Sequence, residues 1–325
     1  MKSIVLALAL ALCIAPATHA QPPATDPLPS WNESPAKQAI LSFVARITKE
    51  DSPGFVPVEN RIAVFDNDGT LWPEKPVIQG AFLLDRLKAL AAKDPSLKQR
   101  QPYKAALEGD LAYFMEAGEK AVMELIAATQ ANQPDEQYKA EVRAFFKGAR
   151  HPKLDRPYTE LAYKPMTELL EYLRANGFQT WICSGGDIDF MRVISQKMYG
   201  IPPDQVIGSR LKKKFLAKYN SQGLWIEPQL GALNDKEGKP VGIDLHIGKR
   251  PLFAAGNVRS GGDVAMLEYS QGQKAPSFQL IINHDDAQRE FAYQEKDNAT
   301  LNAAKANRWN VVSMKQDWKI VFCPP

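Results

Sequence analysis

Apolar positions along the chain follow two rhythms. Ile40, Leu41, Phe43, Val44 and Ile47 recur at the spacing of one helix face, which predicts a helix between Ala36 and Lys49. Ile62-Ala63-Val64-Phe65 is an unbroken apolar run that predicts a buried strand, and it stops at Asp66-Asn67-Asp68-Gly69-Thr70. From Pro73 to about Pro157 only the helical rhythm is present, in residues 77–93, 104–118, 119–130 and 135–149, broken by Pro or Gly. A further helix over 164–177 ends at Gly177, a residue suited to closing a helix. It feeds an apolar strand that terminates in Ser184-Gly185-Gly186. Residues 202–215 predict a turn and a strand, and 223–228 with the turn 234–239 a hairpin-like excursion. A short helix over 240–247, strands over 250–257 and 278–286, a helix from Ala287 and a last strand within 309–322 complete the pattern. Strands separated by helical segments imply the α/β class with a parallel sheet.

Composition narrows this picture. The chain has 325 residues, 45% hydrophobic and 24% charged, as an ordinary globular protein of one large domain with an insertion, or of two domains. A formal charge of +3 gives no electrostatic case for nucleic acid, and Lys212-Lys213-Lys214 reads as a solvated strand edge. Lys2, the apolar run Ile4 to Ala15 and Thr18-His19-Ala20 read as a secretory signal peptide over 1–20, cleaved after Ala20. That run is shorter than the ~20 apolar residues a membrane span needs. No stable membrane span is expected, and the mature protein is expected to be periplasmic or secreted. Residues 21–35, rich in Pro, Ser and Thr, read as a flexible tether. Beyond the signal only Cys183 and Cys323 remain, too few for a disulfide framework, and Cys183 reads as inert core. There is no internal repeat, zinc-like Cys/His spacing or Gly-rich dinucleotide fingerprint.

The candidate chemistry sits where strands end. In an open α/β sheet ligands bind beyond the carboxyl ends of the strands. Asp66 and Asp68, two residues apart at such an end, offer oxygen ligands to a hard cation such as Mg²⁺. The Ser184 hydroxyl and the N–H groups of a glycine pair suit phosphoryl oxygens. Lys239 precedes Pro240, a favoured first helical residue, so it begins a helix at the edge where the strands end. Lys249 follows that helix and falls at the opposite edge. Just past the acids, Glu74 and Lys75 are the nearest polar candidates for contact with a substrate.

Asp66–Thr70 resembles the nucleophile motif (DxDGT) of the haloacid dehalogenase-like phosphohydrolase superfamily. Ser184 and the loop GNVRSGGD resemble its second and fourth motifs, and Gly238-Lys239-Pro240 the third, as in the phosphoserine-phosphatase-like branch. The resemblance spans about Ile40 to Phe322. It implies a Rossmann-like core over 36–72 and 158–325, with 73–157 inserted as a helical cap that closes over a small phosphorylated substrate. By the same resemblance Asp66 is the nucleophile that becomes an aspartyl-phosphate, and Asp68 the general acid and base whose carbonyl touches Mg²⁺. Ser184 and Lys239 hold the phosphoryl group, and Thr70, Gly185 and Glu74 fall at the substrate. The family usually has an acid where Asn257 stands. Either Asn257 binds the metal while Asp263 holds Lys239, or Asp263 reaches the metal itself. Tyr113, Phe114 and Met115 read as cap core, Trp225 as packing and His284 as structural.

Two relatives' chemistries are disfavoured. Dehalogenation on this scaffold needs no acid at position 68, and an ATPase-like pump would need membrane helices. The reading is an Mg²⁺-dependent phosphomonoester hydrolase, with a phosphotransferase or a catalytically weakened phosphate binder as alternatives. Nothing in the sequence signals an oligomeric state.

Overall fold

The computed structural model describes residues 26–218, 221–259 and 261–324. The expected signal peptide lies outside the described residues, as does the start of the expected tether. In chain order the elements are α1 (Pro35–Thr48), β1 (Ile62–Phe65), α2 (Ile78–Lys93), α3 (Tyr103–Glu108), α4 (Leu111–Gln130), β2 (Gln133–Pro134) and α5 (Asp135–Gly148). They continue with α6 (Lys164–Ala175), β3 (Gln179–Asp187), α7 (Ile188–Tyr199), β4 (Val206–Lys218), β5 (Ser221–Ala232), α8 (Gly238–Ile247) and β6 (Phe253–Asn257). The last are α9 (Val264–Gln271), β7 (Phe278–Asn283), α10 (Ala299–Asn307), β8 (Asn310–Ser313) and α11 (Met314–Asp317).

Among the described residues the strands form one sheet in the order β2-β5-β4-β3-β1-β6-β7-β8. From β8 across to the start of β4 it is parallel, a Rossmann-like core. Alternate residues of β1 go to opposite faces, which is why the strand reads as continuously apolar. Ala63 and Phe65 join a cluster with Phe43 and Val44 of α1 and Leu169 and Leu173 of α6. Ile62 and Val64 join another with Ile243 of α8 and Met266 and Leu267 of α9. Burying each such side chain contributes about 1.5–3 kcal/mol, so the helices are held chiefly by these faces. α1 is also capped locally, since Ser34 Oγ accepts the Lys37 N–H and Pro35 opens the first turn. Gly177, at φ 80°, turns the chain from α6 into β3 as expected.

Register decides where the chemistry gathers. Phe65 lies opposite Ile182 and Ala255, and Asn257 opposite Ile282, so β1, β3, β6 and β7 end at one edge of the sheet. The helices between β1 and β3 cover that edge through Ile78, Phe82, Tyr138, Val142 and Phe146, which pack on Trp72, Phe190 and Leu211 of the core.

Several expectations need correction. No helix starts at Ala287; Asp286 accepts the Gln288 and Arg289 N–H groups and closes a turn, and the next helix begins at Ala299. The last strand is short, because Ser313 Oγ accepts the Gln316 N–H and starts α11. The hairpin is formed by β4 and β5 and is longer than expected, while residues 234–239 lead into α8 instead. Two residues of the helical insertion, Gln133 and Pro134, add a strand to β5, although no strand is expected there. Lys213 is not a solvated edge residue; it pairs with Asp189 at 2.7 Å and Asp135 at 3.5 Å. Met115 is 81% exposed and not cap core, with Tyr113 and Phe114 half-buried. The tether reading fails for residues 26–34, where Leu28, Ser30 and Trp31 are buried. Cys183 is buried and unpaired, as expected of core, and Cys323 is free.

Candidate active site

β1 delivers Asp66 to the edge where the strands end. The Asp66 N–H donates to the Ala255 carbonyl at 2.9 Å, so pairing with β6 runs one residue past the strand and fixes the backbone. The chain then turns over Asn67, whose carbonyl accepts from Thr70 and Leu71. Gly69 sits at φ 74°, and a Cβ on it would fall 1.9 Å from Asn257 Nδ2, so both conformation and close approach require glycine. The Gly69 carbonyl meets His284 Nε2 at 2.8 Å. His284 Nδ1 meets Glu290 at 3.1 Å, and Tyr163 donates to the other Glu290 oxygen. This buried chain ties the acid-bearing turn to the end of β7. His284 is structural, as its sequence context suggests.

Lys239, the second residue of α8, is buried; its Nζ donates to Asp66 Oδ1 at 2.7 Å and to Asp263 Oδ1. The other Asp263 oxygen accepts the Asn257 N–H at 3.0 Å. A Cβ at Gly256 would lie 2.5 Å from Asp263 Cγ, so the glycine beside Asn257 admits that carboxylate. Lys249 is elsewhere, donating to the Glu59 carbonyl.

Burial raises Asp66 above the ordinary carboxylate range against the pull of Lys239. It raises Asp68 as well, and burial together with Asp66 pushes Asp263 up to about 6. Burial by itself would lower Lys239, but Asp263 and Asp66 outweigh it and hold the ammonium above its usual value. Two acids thus share one cation in a desolvated corner.

β3 contributes Ser184, whose carbonyl accepts from Asn234 Nδ2 at 2.9 Å and whose Oγ accepts the Gly186 N–H at 3.2 Å. Asp187 caps α7, and its N–H donates to Gln79 Oε1 in the first turn of α2. Asp68 Oδ1 accepts from Trp72 Nε1 at 2.8 Å.

Asn257 ends β6. Its Nδ2 donates to Glu74 Oε2 at 3.1 Å and to Tyr293 Oη at 3.2 Å, and no donor meets its Oδ1 among the described residues. Glu74 is 2% exposed and pairs through Oε1 with Arg259. The sequence places Glu74 at the substrate; the structure puts it in the wall of the cleft, with one oxygen on Asn257 and the other on Arg259. Thr70, also expected at the substrate, is fully buried and does not line the cleft. Asp263, one of the two alternatives for a metal ligand, has both oxygens committed to Lys239 and the Asn257 N–H.

Asp66, Asp68, Ser184, Gly185, Lys239, Asn257 and Asp263 line one cleft of about 440 Å³, the size of a small-molecule site. Gln79, Asp235, Lys236 and Arg259 also line it. Of these Arg259 is legible, since it belongs to the glycine-rich loop already singled out. Gln79 and Tyr293 carry no local signal; only the packing of α2 and of the loop after β7 brings them here.

No group of three or more His, Cys, Asp or Glu side chains that could hold a metal occurs among the described residues. A cation here would draw on Asp66, the Asp68 carbonyl and Asn257 Oδ1. These are hard oxygen donors that fit Mg²⁺. Charge argues the same way. When ionised, the five acids Asp66, Asp68, Glu74, Asp235 and Asp263 outnumber the cations Lys236, Lys239 and Arg259 by two, which suits a divalent ion.

A family profile described as haloacid dehalogenase-like hydrolase matches residues 63–265. A conserved, functionally unknown protein from Anaerococcus prevotii DSM 20548 has the same fold at 16% identity, with a TM-score of 0.54 over 85% of this chain and 91% of its own. A protein of unknown function from Bordetella pertussis Tohama I is 16% identical, with a TM-score of 0.49 over 78% of this chain and 98% of its own. A phosphoserine phosphohydrolase-like protein from Francisella tularensis subsp. tularensis SCHU S4 is 16% identical, with a TM-score of 0.43 over 78% of this chain and 94% of its own. No curated protein matches the chain. The profile takes in nearly all of β1, the whole helical insertion, the strand ends that carry Ser184 and Asn257, and the start of α8 with Lys239. Spanning well over half of the sequence, that match makes this chain a haloacid dehalogenase-like hydrolase.

Proposed function

We propose that the protein is a phosphatase that hydrolyses small phosphomonoesters through an aspartyl-phosphate on Asp66. The observation that carries this reading is the Lys239 ammonium, buried and held between Asp66 and Asp263 at the end of β1. Lys239 pulls Asp66 toward its ionised, attacking form against the effect of burial and offers its charge to the incoming phosphoryl oxygens. The Ser184 hydroxyl, whose proton has no acceptor among the described residues, can donate to the same oxygens, with Gly185 beside it in the cleft wall. Phosphorus bonds to the Asp66 carboxylate as the ester oxygen departs, and Asp68, raised by burial, gives that oxygen its proton. The deprotonated Asp68 then takes a proton from the water that attacks phosphorus, releasing phosphate and restoring Asp66. Mg²⁺, when held by Asp66, the Asp68 carbonyl and Asn257, would supply positive charge against the transferring phosphoryl group. The helices α2 to α5 act as a cap, and Val77 and Gln79 at the start of α2 line the cleft.

The test is p-nitrophenyl phosphate hydrolysis with and without Mg²⁺ by the wild type, Asp66→Asn and Asp68→Asn. Asp66→Asn is expected to abolish turnover with an unchanged circular dichroism spectrum. Asp68→Asn is expected to lose ~10²–10⁴-fold in kcat. Full turnover by Asp66→Asn excludes aspartyl catalysis, and a wild type inactive at every pH supports a non-catalytic phosphate binder instead.

A further inference from the structure

Resting on the Mg²⁺-dependent reading above, we infer that Glu74 is a positioning residue that fixes the Asn257 amide with its oxygen toward the cation site and supplies the negative charge Asn257 lacks. A primary amide has two unlike ends, an oxygen that can bind a cation and an NH₂ that repels one. At the end of β6 nothing in the backbone chooses between them, so the choice falls to what the side chain meets. Glu74 Oε2 lies 3.1 Å from Asn257 Nδ2, and a carboxylate only accepts, so the NH₂ must be the end that faces it. Tyr293 Oη takes the second N–H at 3.2 Å. With both amide hydrogens committed, Oδ1 is left without a donor among the described residues, on a side chain that lines the cleft together with Asp66 and Asp68.

Glu74 is itself held. It is 2% exposed in the cleft wall, and Arg259 pairs with its other oxygen, which fixes the carboxylate where it meets the Asn257 amide. A buried carboxylate one hydrogen bond behind a neutral donor raises the donor's electron density, as carboxylates do behind metal-bound imidazoles. Glu74 follows the acid-bearing turn by a few residues, so its bond to Asn257 joins the segment after β1 to the end of β6. Acid and amide form one unit, and the amide is tolerated because the acid stands behind it.

The test is Mg²⁺ binding by titration calorimetry, with melting of the metal-free protein as the control for structure. The wild type is expected to bind. Glu74→Gln should preserve the metal-free melting temperature while weakening Mg²⁺ binding about 10–100-fold. Asn257→Asp alone should bind no tighter than wild type, because it sets one buried acid against another. The double variant Glu74→Gln/Asn257→Asp should recover wild-type affinity. Unchanged binding by Glu74→Gln, tighter binding by Asn257→Asp alone, or a double variant as weak as Glu74→Gln would each overturn the inference. The Asn257→Asp arm decides the matter even if Glu74→Gln does not fold. A wild type that binds no Mg²⁺ is a separate result, and it overturns the metal-dependent reading along with this one.

Discussion

Lys239 is the side chain on which the site's electrostatics turn, because a buried ammonium flanked by Asp66 and Asp263 is what permits two carboxylates to lie so close. Lys239→Met keeps the apolar stem and removes the charge. Stripping one partner from a buried ion cluster costs about 3–5 kcal/mol, so the variant should be destabilised by that order in urea at pH 7.5. The pH dependence has a definite sign. Asp263 is already pushed up to about 6 with the lysine present, and without it both acids rise further. The variant's folded state then binds more protons than its unfolded state above pH ~4, so its stability grows as pH falls through that window. Most of the deficit should disappear at pH 5; an equal deficit at both pH values would mean that the carboxylates do not face one another across Lys239. How much of this could be read beforehand differs by residue. Asp66, Asp68, Ser184 and Lys239 each sit at a strand end or helix start with a recognisable local pattern. The partner that Asn257 takes is set by a side chain 183 positions away, so spacing could not decide between it and Asp263.

The joint between α7, β3 and the helical insertion poses the same problem at the level of elements. Asp187 closes β3 and opens α7, accepting the Asp189 N–H at 3.0 Å and the Tyr138 hydroxyl of α5. Lys213 on β4 reaches both Asp189 and Asp135, so one lysine stitches the hairpin to helices on either side. Burial and the neighbouring Asp189 push Asp187 up to about 6. Between its unfolded value of ~3.9 and 6 the folded protein therefore holds the extra proton, and the wild type loses stability as pH rises through that range. Asparagine can accept the Asp189 N–H on its oxygen and, with the second bond reversed, donate its NH₂ to the Tyr138 oxygen, all without ionising. Asp187→Asn should therefore gain in melting temperature relative to wild type between pH 5 and pH 7.5, whereas a constant offset would remove Asp187 as the source. Elements held by their own apolar face, such as β1, α1 and α6, are legible in the sequence for the reason that they fold. The stretch from His284 to Asn298 is not, because Glu290 is drawn to His284 and Asp286 closes a turn, and these side-chain bonds outbid a weak helical pattern. The lengths of β4 and β5 also escape the sequence, since each supports the other beyond the core sheet.

At the scale of the whole molecule, residues 26–34 clasp the far end of the chain. Trp31 packs edge-on against Trp318 with ring centres 6.1 Å apart, and its Nε1 donates to the Pro165 carbonyl at 3.0 Å. Ser30 donates through both N–H and Oγ to Glu168, its carbonyl accepts the Lys319 N–H, and the Asn32 N–H donates to the Asp317 carbonyl. A Pro- and Ser-rich composition suggests a tether because most such residues make no apolar contact, but Leu28 and Trp31 do. Two apolar side chains suffice to convert a linker into a strap across α6 and the C-terminal turn. Truncating a large buried aromatic costs about 3–5 kcal/mol, and Trp31→Ala should lower unfolding stability in urea by that order. The loss should be confined to stability: Trp31 lies in the cluster under α1 and α6, and the cleft is built from β1, β3, α8 and β6, so kcat per folded molecule should be unchanged. A variant as stable as wild type would show the clasp to be incidental. One that folds normally but loses turnover would show that the ordered N-terminal segment reaches the chemistry through the Tyr163–Glu290–His284 chain, because Tyr163 also packs on Trp318 with ring centres 5.2 Å apart.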